Sequence, residues 1–99
     1  MSWATRAKEE LSNGREAVIY PKGNSMKPLV LSGQRVVLKP VLDSDDLAVG
    51  DIVLATVRGK DYLHLIKAIR DNQVQIGNNR GHINGWIGRD RVYGIKTSD

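Results

Sequence analysis

The chain has 99 residues, two fifths of them hydrophobic and about a quarter charged, which is the composition of one small folded domain rather than of a disordered segment. It contains no cysteine, which excludes disulfides, a thiol nucleophile and any cysteine-bound metal. Its net charge of +4 arises from 15 Lys and Arg against 11 Asp and Glu, scattered without a basic run, a pattern that argues against a nucleic-acid partner.

Residues 2–12 predict a short helix, with Ser2 as its cap, Trp3, Ala7 and Leu11 on one face, and Asn13-Gly14 as its stop. With only two large apolar residues, this helix is expected to be an arm over residues 1–14 and not a core element. No apolar run nears the roughly 20 residues of a membrane span. The charged N-terminus also lacks a signal-peptide core, so the expectation is a cytoplasmic protein without a membrane partner.

After Gly14 the pattern becomes that of strands. Ala17-Val18-Ile19-Tyr20 is stopped by Pro21, and Arg35 to Lys39 is stopped by Pro40. Ile52 to Val57 and Tyr62 to Ile69 read as two strands of a hairpin turning through Arg58-Gly59-Lys60-Asp61. Gln73 to Ile76 alternates polar and apolar residues, and Arg91 to Lys96 is a last short strand. Gly77 to Gly88, with four glycines and three asparagines, has loop composition and is expected to be a flap or a surface connection anchored by Trp86. Short strands at near-regular spacing predict a mostly β domain over residues 15–99, either a coiled antiparallel sheet or a small barrel.

The segment with chemical content is Gly23-Asn24-Ser25-Met26-Lys27-Pro28. Gly23 tolerates positive φ and lets a ligand approach the backbone closely. The backbone N–H groups of Asn24 and Ser25 are candidate oxyanion donors, and Met26 a candidate pocket wall beside them. Taken alone, Ser25 is an ordinary turn serine, because a hydroxyl becomes a nucleophile only with a base in hydrogen-bond reach.

Ser25-Met26-Lys27-Pro28 resembles the Ser-Met-x-Pro nucleophile motif of the LexA and signal-peptidase serine peptidases. Gly33-Gln34-Arg35-Val36-Val37 resembles that family's Gly-Asp-x-Val strand entry, with Gln34 where Asp is usual. Gly50-Asp51-Ile52-Val53 resembles its second such segment, and Gly77-Asn78-Asn79 and a closing strand follow in order. The resemblance spans about residues 17 to 96 and implies the LexA-like peptidase fold, no cofactor or metal, and a serine dyad acting on a polypeptide. It implies a possible homodimer too, and a phage or stress-response setting.

The same resemblance calls for a base on the strand after the Gly-Asp-Ile-Val segment, where His64 and Lys67 both stand. Three positions apart, they face opposite sides of a regular strand. His64 falls where the family pattern has its base and needs little adjustment to act near neutral pH, so Lys67 is the alternative. No obvious acid to orient an imidazole stands nearby, Asp61 doing so only with favourable geometry, and with two histidines and no cysteine a metal site is not expected at His82. Sixteen residues precede Ala17 and no Ala-Gly or Cys-Gly dipeptide is present, so the expectation is a minimal catalytic domain without a DNA-binding domain, a membrane anchor or an obvious self-cleavage bond. The competing expectation is a LexA-like module that has kept the scaffold without the chemistry and binds protein or nucleic acid.

Overall fold

The computed structural model describes residues 3–43 and 46–97. A helix, α1 (Thr5–Ser12), precedes seven strands: β1 (Ala17–Ile19), β2 (Val36–Pro40), β3 (Ile52–Val57), β4 (Lys60–Arg70), β5 (Gln73–Gly77), β6 (Ile83–Gly88) and β7 (Val92–Lys96). They form one antiparallel sheet in the order β1-β2-β7-β3-β4-β5-β6. The sheet is not closed, since β1 and β6 are its two edges. The coiled-sheet expectation therefore holds and the closed-barrel one does not.

Coiling buries both faces of the central strand. Leu54 packs with Ile19, Leu38 and Leu63 in one apolar cluster, while its neighbours Val53 and Ala55 pack with Ile66, Ile76 and Ile87 in another. That is why β3 reads as a continuous apolar run instead of an alternating one. At the far edge, β6 comes back against the end of β3, where the Cα of Gly85 faces Val57.

Local chemistry accounts for the strand ends. The β3–β4 hairpin turns through Arg58-Gly59 alone, both at positive φ (52° and 79°), the backbone a two-residue type I′ turn demands. Pro40 is the last residue of β2 rather than its stop, paired with Gly94. Ladder pairing with β1 ends at Leu38, and the next N–H, that of Val41, points to Tyr93 on the other side. The missing proline N–H thus faces a stretch with no β1 partner.

Two sequence expectations are corrected. The helix contributes to the core after all: Ala4, Ala7 and Leu11 are buried in the cluster with Ala17, Ile19 and Leu38. Small residues let the helix axis come close, and Gly94 of β7 leaves the hollow that Leu11 fills; a Cβ there would lie 2.7 Å from Leu11 Cδ1. The helix starts at Thr5 with Ala4 as its cap residue, and the expected cap Ser2 lies outside the described residues. The stretch Gly77 to Gly88 is mostly strand, with only residues 78–82 forming a turn. Trp86 sits half-buried on β6 with the Arg70 guanidinium 4.1 Å from its ring centre.

Leu11→Ala is expected to cost about 2–4 kcal/mol. Leu42→Ala, at a side chain 87% exposed, is expected to stay within about 0.5 kcal/mol of wild type. Urea unfolding of both variants compares them; equal effects would contradict the placement of the helix in the core.

Candidate functional site

Ser25 lies in the long connection between β1 and β2, and three sets of contacts hold that connection in shape. Its ends are tied by the Gly33 N–H to the Pro21 carbonyl (2.6 Å) and the Gly23 N–H to Ser32 Oγ (3.1 Å). Met26 and Val30, one helical turn apart, are buried in the α1-side cluster and pin the segment to the sheet. Across the cavity, the Asn79 N–H donates to the Ser25 carbonyl (3.0 Å) and Asn79 Nδ2 to the Lys27 carbonyl (2.8 Å). The Gly-Asn-Asn segment is thus a clamp on the serine loop. Asn78 shapes that clamp, its Oδ1 accepting the N–H groups of Arg80 and His82.

Gln34 and Asp51, the motif residues after Gly33 and Gly50, do the same local work. Gln34 Oε1 accepts the Leu31 N–H at 2.9 Å, and Asp51 Oδ2 accepts the Ala48 N–H at 2.9 Å. Each side chain closes the turn that feeds the next strand, a task an amide oxygen performs as well as a carboxylate.

His64 is delivered from the middle of β4, opposite Val53 of β3. It is buried, at 7% exposure, with the Tyr62 ring 4.9 Å away on the same face. Its Nε2 lies 3.2 Å from Ser25 Oγ and its Nδ1 lies 2.7 Å from Asn84 Oδ1. An amide oxygen only accepts, so the ring proton resides on Nδ1, and Nε2 presents its lone pair to the serine hydroxyl.

Asn84 reaches the ring because of a break in the ladder. Ile76 pairs with Gly85 and Gly77 with Ile83, so Asn84 is the extra residue of a β-bulge. Gly85 beside it takes φ 145°, and Gly77 opposite has no room for a side chain, with the His82 carbonyl 2.7 Å from where a Cβ would stand. Lys67 occupies a second bulge, between Ile66 and Ala68 on β4. Its stem lies over Gly77, and it is not among the residues lining the Ser25 cavity.

That cavity, of about 410 Å³, brings together Ser25, His64, Gly23 and Met26 with Asn84 and His82. Among the described residues, the backbone N–H groups of Asn24 and Ser25 have no acceptor. Asp61 also borders the cavity, but its carboxylate accepts from Thr56 Oγ1 (2.6 Å) and from Lys8 Nζ (3.1 Å), while Asn84 has the place at His64 Nδ1. Thr56 in turn accepts from the Tyr93 hydroxyl (3.0 Å), so this network ties α1 to β3, β4 and β7. Sequence reading missed Asn84, because a bulge leaves no alternation to read and Asn-Gly is turn composition.

Burial pushes the His64 imidazole below the ordinary histidine value, and the nearby His82 works in the same direction. The hydrogen bond to Asn84 opposes both and is outweighed by burial. Neither a protein-family model nor a curated protein matches the chain. No helix among the described residues is long and apolar enough to cross a membrane.

The depressed proton affinity of His64 has a signature in stability. The unfolded chain takes up a proton at about pH 6.5, and the folded one only at a lower pH. Its stabilising contribution is whole above that pH and is lost as the pH falls toward the folded value. Urea unfolding at about pH 8 and about pH 5 is expected to show a smaller loss of stability in His64→Gln than in wild type. An unchanged or larger loss would mean that the imidazole is not held neutral by folding.

Proposed function

We propose that the chain is a serine peptidase in which Ser25 is the nucleophile, His64 its base and Asn84 the group that orients the base. The observation that carries this reading is the 3.2 Å approach of Ser25 Oγ to the lone-pair nitrogen of a buried, neutral imidazole. The ordered resemblance to the LexA and signal-peptidase serine peptidases supports it from the sequence. A module that had kept only the scaffold would leave the hydroxyl turned away from any basic nitrogen, so the short separation favours the catalytic reading.

The chemistry follows from the groups in place. His64 Nε2 removes the Ser25 proton as Oγ attacks a peptide carbonyl, and the ring turns to imidazolium. The N–H groups of Asn24 and Ser25 receive the charge that develops on the carbonyl oxygen. The imidazolium then gives its proton to the departing amine, leaving an acyl-serine. A water molecule, deprotonated by the same nitrogen, releases the acid and restores Ser25.

A neutral amide at Nδ1 has a definite consequence. It fixes the tautomer and the ring plane, yet it offers the imidazolium a dipole in place of a counter-charge. Its upward pull on the imidazole is outweighed by burial, so the base keeps a proton affinity below that of an ordinary histidine.

Ser25→Ala is expected to abolish hydrolysis of a casein or peptide-library substrate, and His64→Ala to lower kcat by about 10²–10⁴-fold, with the fold intact by circular dichroism. Hydrolysis that survives Ser25→Ala would end the proposal. The acid limb of kcat/KM is expected below about pH 6.5, and Asn84→Asp is expected to move it to higher pH by supplying the missing charge. An acid limb that Asn84→Asp leaves in place would remove Asn84 from the role of orienting the base.

A further inference from the structure

The cavity at Ser25 has two kinds of lining. Ser25, His64 and Asn84 line it together with the polar Lys22, Asp61, Asn78 and His82, while Trp3, Met26, Val30, Leu31 and Leu63 give it apolar lining. Met26, Val30 and Leu63 are buried and belong to the core, so they make a floor. Trp3 and Leu31, which also line the cavity, are 53% and 52% exposed. Large apolar side chains left open to water next to a reactive hydroxyl have no covering partner among the described residues, and a concave apolar surface with a few polar groups at one end is how a ligand site is built.

Trp3 comes from the N-terminal segment, outside the stretch that carries the peptidase resemblance. Its position is set by the helix that follows. Leu11 is seated against Gly94, and Lys8 is bonded to the partly buried Asp61 with its ammonium 5.5 Å from the Tyr93 ring centre. The same Asp61 borders the cavity, so the anchor of α1 and the wall it presents meet at one place. Asp61 has its carboxylate engaged by Lys8 and Thr56, and Lys22 also lines the cavity, so the lining does not favour a basic side chain.

We propose that Trp3 is a specificity-determining residue, and that the substrate is a polypeptide with a large apolar side chain, of the leucine or phenylalanine kind, next to the scissile bond. This rests on the peptidase reading for the bond that is cut, though not for the binding itself. The side chain enters between Trp3 and Leu31, settles on Met26 and Leu63, and so sets its carbonyl at Ser25. The residue that leads into α1 is then part of the substrate site, held there by the helix.

The test has a kinetic arm and a binding arm. In the kinetic arm, peptides varied at the two residues on each side of the bond are cleaved by wild type. Leucine or phenylalanine at one of those positions is expected to raise kcat/KM at least about tenfold over serine. Trp3→Ala is expected to bring that ratio to within about twofold, mainly by raising KM. In the binding arm, a Ser25→Ala/Trp86→Phe protein leaves Trp3 as the sole tryptophan of the two in the chain. Titration with the preferred leucine peptide is expected to shift Trp3 emission to the blue, and titration with the serine peptide to leave it in place at the same concentration. Cleavage without apolar preference, and with no emission shift, would overturn the inference and leave the peptidase reading standing. An emission shift from a leucine peptide that wild type never cleaves would keep the apolar site and overturn the peptidase reading. No shift and no cleavage would overturn both.

Discussion

His64 has both ring nitrogens engaged, Nε2 with the Ser25 hydroxyl at 3.2 Å and Nδ1 with the Asn84 amide oxygen at 2.7 Å, and everything proposed for this molecule depends on that pair of contacts. One contact fixes the tautomer and the other uses it. Burial under the serine loop keeps the ring neutral, so the lone pair aimed at Ser25 is present at ordinary pH. A solvent-exposed histidine at the same distance would have neither a fixed plane nor a fixed protonation state.

The three residues come from distant parts of the sheet, and its coiling is what unites them. β4 carries His64 near the middle of the sheet, β6 carries Asn84 on the free edge two strands away, and the serine loop crosses over from the opposite edge. A flat ladder would hold Asn84 and His64 apart by two strand spacings, roughly 10 Å. The bulge at Asn84 turns the extra residue out of the ladder, and its side chain reaches His64 Nδ1. Asn79 then bolts the turn before β6 to the Ser25 and Lys27 carbonyls, so nucleophile and orienting amide are set against one another by the same short turn.

Much of this was legible in the sequence where side-chain period and turn chemistry act locally. The β3–β4 hairpin and the strand of alternating Gln73 to Ile76 follow from patterns within a few residues of one another, whereas a base for Ser25 on β4 was implied only by the ordered family resemblance. Asn84 and the course of β6 were not legible. Asn-Gly and glycine at every few positions are loop signals, and only the pairing with β5 and the crowding at Gly77 make a strand of that stretch. The helix was underrated for a related reason. Its buried face is made of Ala4, Ala7 and Leu11, small residues whose value lies in close approach to Gly94 and not in apolar bulk. The sequence offers no obvious acid to orient His64, and Asp61, the nearest one, has its carboxylate engaged by Thr56 and Lys8.

The claim at the centre is that one hydroxyl among the serines of this chain is chemically distinct because of one imidazole. Reaction with a small fluorophosphonate, followed by peptide mapping in a mass spectrometer, reads that difference directly. The account expects a single phosphonylated residue, Ser25, and loss of the adduct when His64 is replaced by alanine. Labelling spread over several serines, or an adduct at Ser25 that forms equally fast without the imidazole, would contradict it.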